Sequence, residues 1–353
     1  MVLETAKKNL RRAAVVGASG YTGVELLRLL AGHPDLEVVL ATGDSQAGQP
    51  VASLYPSLQG AYPDLILGNS DIGAWESQLD DLDVVFLGLP HEVSHTLVPR
   101  IIGRGPCVVD LSAAYRMRDV EVYPRWYGFA HEYPEILDQA VYGLPELHRD
   151  ALKGASLIAT PGCYVTAATL ALAPLVRSGL ITTQGVIVDA ASGVSGAGRV
   201  PKQTNHFNSV DEDFSAYGLL DHRHTPEMQD QIGAEILFTP HLVPMNRGIL
   251  ATCYARAVDS KKVSTERLLE ILKDFYRDEP FVVVQSTSPS TKATLGSNAV
   301  HITARFDERT GYVMVISALD NLCKGASGGA VQAANVALGF AEGAGLSTIG
   351  VYP

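Results

Sequence analysis

A glycine-rich turn between an apolar strand and a leucine-rich helix constrains the fold of this chain most. The apolar residues 13–17 predict a short buried strand, and leucines at helical spacing in residues 24–33 predict a helix. Residues 36–42 predict a second buried strand. Strand, helix and strand in this order form a βαβ unit, the building block of a parallel, doubly wound sheet.

The three glycines of this turn are spaced for binding a dinucleotide. Gly17, Gly20 and Gly23 follow the pattern GxxGxxG between the first strand and the first helix. The first glycine permits the turn, the second lets backbone approach a pyrophosphate, and the third lets the helix pack against the strand. The N-terminus of the helix supplies N–H donors to the phosphates. The alternative is a glycine-rich turn with a structural role only.

The end of the second strand bears on the choice between NAD and NADP. An acid there bonds the ribose hydroxyls of NAD, whereas basic or hydroxyl side chains accommodate the extra phosphate of NADP. Thr42 and Ser45 favour NADP, Asp44 favours NAD, and no arginine is present. The residues alone leave this choice open.

The rest of the chain divides into two patterns, and its length of 353 residues predicts about two domains. Residues 83–91 and 107–112 predict further buried strands, with a helix over 94–104 between them. Beyond residue 160 the strands are longer and many alternate in polarity, as in a mixed or antiparallel sheet. These later strands are predicted at 185–195, 236–245, 248–258, 281–286 and 312–319, with helices at 265–278 and 328–343.

Cys163 is the best candidate for a nucleophile. The sequence Thr-Pro-Gly precedes it, and an apolar helix over 166–176 follows. A helix N-terminus favours the thiolate, so this thiol is expected to be nucleophilic near neutral pH. The alternative is a buried packing residue, which we expect of Cys107 and Cys253; Cys323 has no evident activating group.

A thiol nucleophile needs a group that moves protons, and one histidine cluster fits that need. His222 and His224 lie close to Glu227, and Pro226 suits a first helical turn that would make His224 and Glu227 an i, i+3 pair. The alternative is a solvated polar turn. A zinc site is disfavoured because no third ligand is spaced locally.

Three further positions suggest anion binding. Arg116 follows a strand at the carboxyl edge of the first sheet, where it would clamp a phosphate or form a surface ion pair with Asp119. A second glycine loop over 192–202 would form an anion nest or a flexible hairpin. Arg247 lies between two predicted strands.

Charge and cysteine content narrow the function classes. With 27 basic and 38 acidic residues the net charge is −11, which disfavours nucleic-acid binding. No stretch reaches the roughly 18 apolar residues of a membrane span. Four cysteines without a CxxC pair fit a reducing compartment, so a cytoplasmic location is expected.

Eight motifs, taken together and in order, give the chain a resemblance to a known enzyme family. It resembles the N-acetyl-gamma-glutamyl-phosphate reductases, of the aspartate-semialdehyde dehydrogenase-like superfamily, over about residues 13–350. The motifs are GASGYTG, LGLPH, DLSAAYRM, TPGCYVTA, SGVSGAG, HRHTPE, FTPHLVPMNRGI and DNLCKGASGGAVQ. Each is modest alone, and their ordered set is specific.

The resemblance implies roles for individual residues. Cys163 matches the nucleophile and His224 the acid/base. Substrate contacts are expected from Arg116, Ser192, Lys202, His222, Glu227 and Arg247. Cofactor contacts are expected from Gly17, Ser19, Gly20, Tyr21, Thr22, Gly23, Thr42, Ser45, Gly88, Leu89, Pro90, Ser195, Gly196 and Asn321. No metal is expected.

The implied fold is α/β, with a Rossmann-type doubly wound parallel sheet and an α+β domain whose mixed sheet is largely antiparallel. The implied NADP-binding domain covers 1–162 and is completed by a C-terminal helix in 321–353. The catalytic and oligomerisation domain covers 163–320. The long strands of this second domain suggest a sheet interface in a homodimer or homotetramer.

The implied reaction is the NADPH-dependent reduction of N-acetyl-L-glutamyl 5-phosphate to the 5-semialdehyde, in arginine biosynthesis. It would pass through a thioacyl group on Cys163. One departure concerns the cofactor: many members carry Ser-Arg after the second strand, where this chain has Gly43-Asp44-Ser45. The alternatives are reduction of an aspartyl or N-acetyl-aminoadipyl phosphate and, more remotely, a non-catalytic NADP-binding redox sensor.

Overall fold

The computed structural model of this chain describes residues 10–352. The first nine residues of the predicted first domain and residue 353 therefore lie outside the described part. The chain forms two units, each built from separate stretches of sequence. The first contains residues up to Ala114, Gln139–Ala159 and Ala330–Leu346. The second contains Tyr115–Asp138, Thr160–Gly329 and the residues from Ser347 onward.

The described residues form thirteen strands. In chain order they are β1 (Arg11–Val16), β2 (Leu36–Thr42), β3 (Val84–Leu87), β4 (Cys107–Asp110), β5 (Val141–Tyr142), β6 (Leu157–Ala159), β7 (Val186–Gly193), β8 (Ser215–Ala216), β9 (Ile236–Val243), β10 (Ile249–Arg256), β11 (Val282–Val284), β12 (Val300–Asp307) and β13 (Tyr312–Leu319).

The same part of the chain forms twelve α-helices, several of them a single turn. They are α1 (Tyr21–Leu30), α2 (Val51–Leu54), α3 (His91–Ile101), α4 (Val122–Trp126), α5 (Pro134–Leu137), α6 (Pro145–Leu152), α7 (Cys163–Arg177), α8 (Phe207–Val210), α9 (His224–Ile232), α10 (Thr265–Phe275), α11 (Thr291–Thr294) and α12 (Gly328–Leu338). None of them is long and apolar enough to cross a membrane.

The first unit contains a six-stranded sheet in the order β2-β1-β3-β4-β6-β5. Every pairing in it is parallel, as the βαβ pattern predicts. All four residues of β3 and of β4 are buried, because in a doubly wound sheet both faces are covered. The prediction omitted β5 and β6, which have two and three residues and so leave little pattern to recognise.

The second unit contains a seven-stranded mixed sheet in the order β11-β12-β13-β10-β7-β9-β8. Two pairings are parallel and the others are antiparallel, which confirms the predicted mixed, largely antiparallel sheet. Helix α7 lies on one face, where the Ser317 hydroxyl of β13 donates to the Ala167 carbonyl. The sequence prediction missed β12, although Val300, Ile302 and Ala304 alternate with less apolar residues and are buried.

Buried polar contacts hold residues 330–346 in the first unit. Asn335 of α12 donates to the carbonyls of Glu342 and Ala344 and bonds the imidazole of His33. Gln332 donates to Glu146 and Glu342. Helix α12 ends at Leu338, five residues before the predicted end, and Gly339 then adopts a left-handed conformation with φ of 75°. The predicted domain bounds stay a prediction. The observed units differ from them in placing Tyr115–Asp138, residues 160–162, residues 321–329 and the residues from Ser347 onward in the second unit.

Candidate active site

The candidate nucleophile lies where strand β6 passes into helix α7. Residues Thr160, Pro161 and Gly162 form the connection, and Cys163 is the first residue of the helix. The N–H groups of Cys163 and Tyr164 are directed at the thiol. The thiol therefore lies at a helix N-terminus, as the sequence predicts.

The protonation state of Cys163 differs from the expectation. Burial raises the pKa of the Cys163 thiol to about 11, against the opposing effects of the N–H group of Tyr164 and the guanidinium groups of Arg116 and Arg223. The helix terminus favours the thiolate as expected, but desolvation of the charged form has the larger effect on the pKa of this thiol. The resting thiol is protonated at neutral pH.

His224 faces the residue that precedes the nucleophile. It is the first residue of α9, and a Cβ atom built on Gly162 would lie 2.4 Å from His224 Nε2. No group in the described part of the chain bonds to its buried Nδ1 atom. Burial, with the nearby charges of His222 and Arg116, holds the pKa of His224 well below its usual value. The imidazole is neutral at physiological pH and can accept a proton.

His222 supports His224 from the preceding turn. Its Nδ1 atom accepts the backbone N–H of His224 at 3.1 Å, so Nδ1 carries no proton. Burial, assisted by Arg223, lowers the pKa of His222 to about 4. The ring packs edge-on against Tyr164, Tyr217 and Phe238.

Glu227 ties the histidine helix to the thiol turn. Its Oε1 atom accepts the Gly162 N–H at 2.9 Å, and its Oε2 atom accepts from Arg116 Nη1 at 3.2 Å. Arg116 Nε donates to the Thr160 carbonyl at 2.7 Å. Both side chains are almost wholly buried, so Arg116 does not form the alternative surface pair with Asp119. As predicted, Pro226 lies in the first turn of α9, and His224 and Glu227 form an i, i+3 pair on this helix.

The second glycine loop, residues 192–202, meets the end of β13. Asn321 accepts the Gly248 N–H at 2.7 Å and donates to the Ser195 hydroxyl at 2.9 Å. A Cβ atom on Gly196 would lie 3.0 Å from the buried Ser192 hydroxyl. The structure thus brings Ser192, Ser195, Gly196 and Asn321 together.

The two remaining predicted cations of the second unit differ in their surroundings. Arg247 is paired with the buried Asp320, Nε to Oδ2 at 2.9 Å. Lys202 is exposed at the start of a short 3-10 turn, where its N–H donates to the Asn205 side chain. No local pattern predicts the Arg247–Asp320 pair, because 73 residues separate the partners.

A π-helical turn at Cys323–Ser327 contacts the nucleophile from the other side. A Cβ atom on Gly325 would lie 2.9 Å from the Cys163 Cβ atom, so only glycine fits there. The sequence analysis did not single out Gly325, and π-turns of this kind often mark functional sites. Tyr217 was also missed; its hydroxyl donates to that of Tyr164 at 3.1 Å.

In the first unit, the glycine turn has the geometry expected of a dinucleotide loop. Gly17 has φ of 89°, and a Cβ atom there would lie 2.4 Å from the Gly88 carbonyl oxygen. A Cβ atom on Gly23 would strike the Gly17 carbonyl, whereas Gly20 has only that oxygen at 3.5 Å. The first and third glycines therefore close the turn, and the middle one leaves room for a pyrophosphate at the start of α1.

Among the other predicted cofactor residues, Thr42, Gly88 and Leu89 lie against this turn. Thr42 Oγ1 accepts the Gly17 N–H, and a Cβ atom on Gly88 would lie 3.2 Å from the Thr22 hydroxyl. Tyr21 and Thr22 open α1, and Ser45 is exposed after β2. A Cβ atom on Gly17 would also lie 3.2 Å from the Leu89 side chain, and Pro90 caps α3. The sequence analysis missed Tyr55, whose hydroxyl donates to the Ser19 carbonyl at 2.6 Å.

Cys107, Cys253 and Cys323 are all buried. Burial raises the pKa of Cys107 and of Cys253 to about 12, as suits the packing role predicted for both. Within residues 10–352, no group of three histidine, cysteine, aspartate or glutamate side chains is placed to hold a metal ion.

The two histidines should make the stability of the protein pH-dependent. Because their pKa values are lowered in the folded state, the unfolded chain binds more protons below about pH 6.5, so the free energy of unfolding falls as pH falls from there toward 4. For His222 the loss is at most about 3 kcal/mol, at 1.36 kcal/mol per pKa unit. Urea unfolding of the wild type and of His222→Asn should show a stability difference that changes with pH over this range. Parallel pH profiles for the two proteins would contradict the proposed cause.

Two protein-family models match this chain, and together they cover most of it. Residues 12–155 match a model described as semialdehyde dehydrogenase, NAD binding domain, and residues 163–321 match one described as semialdehyde dehydrogenase, dimerisation domain.

Solved structures with the same fold include aspartate semialdehyde dehydrogenase II of Vibrio cholerae complexed with ASA. Its TM-score is 0.70 at 16% identity, covering 93% of this chain and 98% of that one. The aspartate semialdehyde dehydrogenase of Candida albicans with NADP has a TM-score of 0.69 at 16% identity, with the same coverage of both chains. At 16% identity, this likeness establishes the fold alone.

Curated relatives are far more similar in sequence. The N-acetyl-gamma-glutamyl-phosphate reductase of Geobacter sulfurreducens is 47% identical over 351 residues, which cover 97% of this chain and 99% of the relative. That of Symbiobacterium thermophilum is 46% identical over 352 residues, with the same coverage. The glycine turn, the thiol at the start of α7 and the histidine against Gly162 thus occur in a chain that belongs to the N-acetyl-gamma-glutamyl-phosphate reductase family.

Proposed function

We propose that this protein reduces N-acetyl-L-glutamyl 5-phosphate to N-acetyl-L-glutamate 5-semialdehyde and phosphate, with NADPH as reductant, in arginine biosynthesis. The observation that carries the assignment of roles is the approach of His224 Nε2 to Gly162, directly before Cys163. It joins a protonated thiol and a neutral imidazole on two elements that the same carboxylate, Glu227, holds together.

Cys163 is the nucleophile in this proposal. Its sulfur attacks the acyl-phosphate carbonyl, the bond from that carbon to the phosphate oxygen breaks, and a thioester forms on Cys163. Since the pKa of the thiol is raised to about 11, the attack requires a base to take the proton. His224 suits that role because its pKa is lowered and it is neutral at the working pH.

The leaving phosphate requires positive charge and N–H donors. The charge of Arg116 acts on the Cys163 thiol and lowers its pKa, and that of Arg223 does the same. The same charges would stabilise an oxyanion and a phosphate at the acyl carbon bonded to that sulfur. Arg116 is held in place by Glu227 and the Thr160 carbonyl.

The residues of the first unit fit the cofactor. The space at Gly20 and the N–H groups that open α1 suit a pyrophosphate. When bound, the dihydronicotinamide supplies the hydride that converts the thioester to a thiohemiacetal. As that adduct collapses, the carbonyl re-forms, the bond from carbon to sulfur breaks, and His224 returns its proton to the Cys163 sulfur. Ser195, Gly196 and Asn321 are the second-unit residues that we propose for the nicotinamide end. A cytoplasmic location fits this biosynthetic role.

The test compares substrates and variants. In the oxidative direction, with phosphate and NADP⁺, turnover should be greatest with N-acetylglutamate semialdehyde and lower with aspartate or N-acetyl-aminoadipate semialdehyde. Cys163→Ala should abolish turnover while dinucleotide binding persists, and His224→Asn should lower kcat by about 10²- to 10⁴-fold. Full turnover by Cys163→Ala, or a preference for aspartate semialdehyde, would refute the proposal. A non-catalytic redox sensor would show no turnover at all.

Gly162 should be needed for the position of His224. Its φ of −66° and ψ of 145° suit alanine, so Gly162→Ala adds no backbone strain and only a methyl group against Nε2. We expect kcat to fall about 10²-fold or more, as for loss of a positioned base, with unchanged affinity for the dinucleotide. Gly60→Ala is the matched control, because nothing lies within 4 Å of a Cβ atom there. Equal kcat in the two variants would show that His224 tolerates displacement.

We further propose that the protein forms a homodimer or homotetramer through the face of the second sheet opposite α7. Ile187, Tyr254 and Met314 lie side by side on β7, β10 and β13 and are partly exposed. Leu250 and Ile316 lie on the same face, which also carries Thr252 and Asp189. Partly exposed apolar rows on paired strands suit burial against a second copy.

A charged residue introduced on this face should dissociate the oligomer. Sedimentation velocity should give an oligomer for the wild type and a monomer for Met314→Arg, because association would remove the new charge from water. Val258→Arg, at an exposed position outside the sheet, should leave the oligomer intact. A monomeric wild type, or an unchanged oligomer for Met314→Arg, would contradict the proposed interface.

A further inference from the structure

The carboxyl end of β2 carries an acid at the position where Rossmann-type domains meet the adenosine ribose. Asp44 follows Thr42 and Gly43 and is exposed. It comes 21 residues after Gly23 of the glycine turn, the spacing at which an Asp or Glu bonds the ribose 2′-hydroxyl of NAD.

Contacts on both sides hold Asp44 close to the glycine turn. A Cβ atom on Gly43 would lie 3.0 Å from the Ser19 side chain, so the backbone before Asp44 packs directly on the loop. The Asp44 N–H donates to the Ser70 hydroxyl at 3.2 Å, and Ser70 in turn bonds Thr42 Oγ1 at 3.0 Å. The backbone at Asp44 therefore lies beside the loop that would hold the pyrophosphate.

Within the described part of the first unit, every basic side chain is engaged elsewhere and so is not offered to a 2′-phosphate. The sequence contains no lysine or arginine from residue 29 to residue 99. Five of the seven basic residues in the described part of the first unit pair with acids elsewhere in it: Arg12 with Asp81, Arg28 with Glu25, Arg100 and Arg104 with Glu76, and Lys153 with Asp150.

The remaining two are engaged in the same unit as well. Arg149 pairs with Glu342, and Arg11 lies over the ring of Phe340. A 2′-phosphate carries a charge that requires an arginine or a comparable donor, and next to the Asp44 carboxylate it meets repulsion instead.

We propose that Asp44 recognises the ribose 2′-hydroxyl, so that this protein binds NADH about as tightly as NADPH and uses either as reductant. Ser70 is the positioning residue, since its hydroxyl accepts the N–H of Asp44. The inference rests on the proposed function only in requiring that the glycine turn binds a nicotinamide dinucleotide.

The test measures binding without substrate. Titration of the full-length protein with NADPH and with NADH, followed by fluorescence, should give dissociation constants within about tenfold of each other. Asp44→Arg should shift the ratio toward NADPH by about 10- to 100-fold, the value of one charge-assisted hydrogen bond. Asp44→Asn should weaken NADH binding and leave NADPH equal or tighter. Asp80→Arg, an equal change of charge at an exposed site of the same unit, should leave the ratio unchanged.

Two results would overturn the inference and leave the proposed reaction intact: a wild type that prefers NADPH by more than about tenfold, or an Asp44→Arg protein with the wild-type ratio. Binding of neither dinucleotide would overturn the inference and the proposed function together. Comparable binding of both dinucleotides, with no turnover of N-acetylglutamate semialdehyde, would support the role of Asp44 and refute the proposed substrate.

Discussion

The buried carboxylate of Glu227 is the interaction on which the candidate site depends. It accepts the Gly162 N–H and pairs with Arg116, and Arg116 in turn donates to Thr160. Three segments far apart in sequence are thereby fixed: the strand-to-helix turn of the thiol, the first turn of α9 and the loop that carries Arg116. A carboxylate with no exposure is tolerated only because both oxygens are bonded, and removal of one partner of such a pair costs about 3–5 kcal/mol.

This arrangement explains why the sequence predicts the site residues better than it predicts their state. Local patterns identified the glycine turn, the thiol at the start of α7 and the Pro226 turn of α9, since each depends on residues within one turn of a helix. Burial depends on the whole fold. The sequence therefore led to a thiolate at Cys163, whereas desolvation in the folded protein keeps the thiol protonated. The same limit applies to Arg116, whose partner Glu227 lies 111 residues away.

The strands also divide into those that their own sequence predicts and those that depend on contacts with distant residues. Strands with continuous apolar runs and the alternating strand β13 were predicted to within a few residues, because one strand's pattern suffices to recognise it. Strands β5 and β6 are too short to carry a pattern, and they owe their conformation to pairing with each other and with β4. The close approach of Gly325 to Cys163 joins residues 162 apart, and a glycine among several in the sequence gives no indication of which one a neighbour requires.

The proposed nucleophile and base, Cys163 and His224, are both neutral before the reaction begins. Neither group carries charge, so the pair can be buried without the desolvation cost of a thiolate and an imidazolium. The buried charges of the site are instead those of Glu227 and Arg116, which compensate each other and do not change during the proposed reaction. New charges, a thiolate and an imidazolium, are created only when the thiol proton moves to His224. The phosphorylated substrate is bound at that moment and contributes its own negative charge. The ion pair of Glu227 and Arg116 fixes the geometry of the site, and the neutral thiol and imidazole exchange the proton.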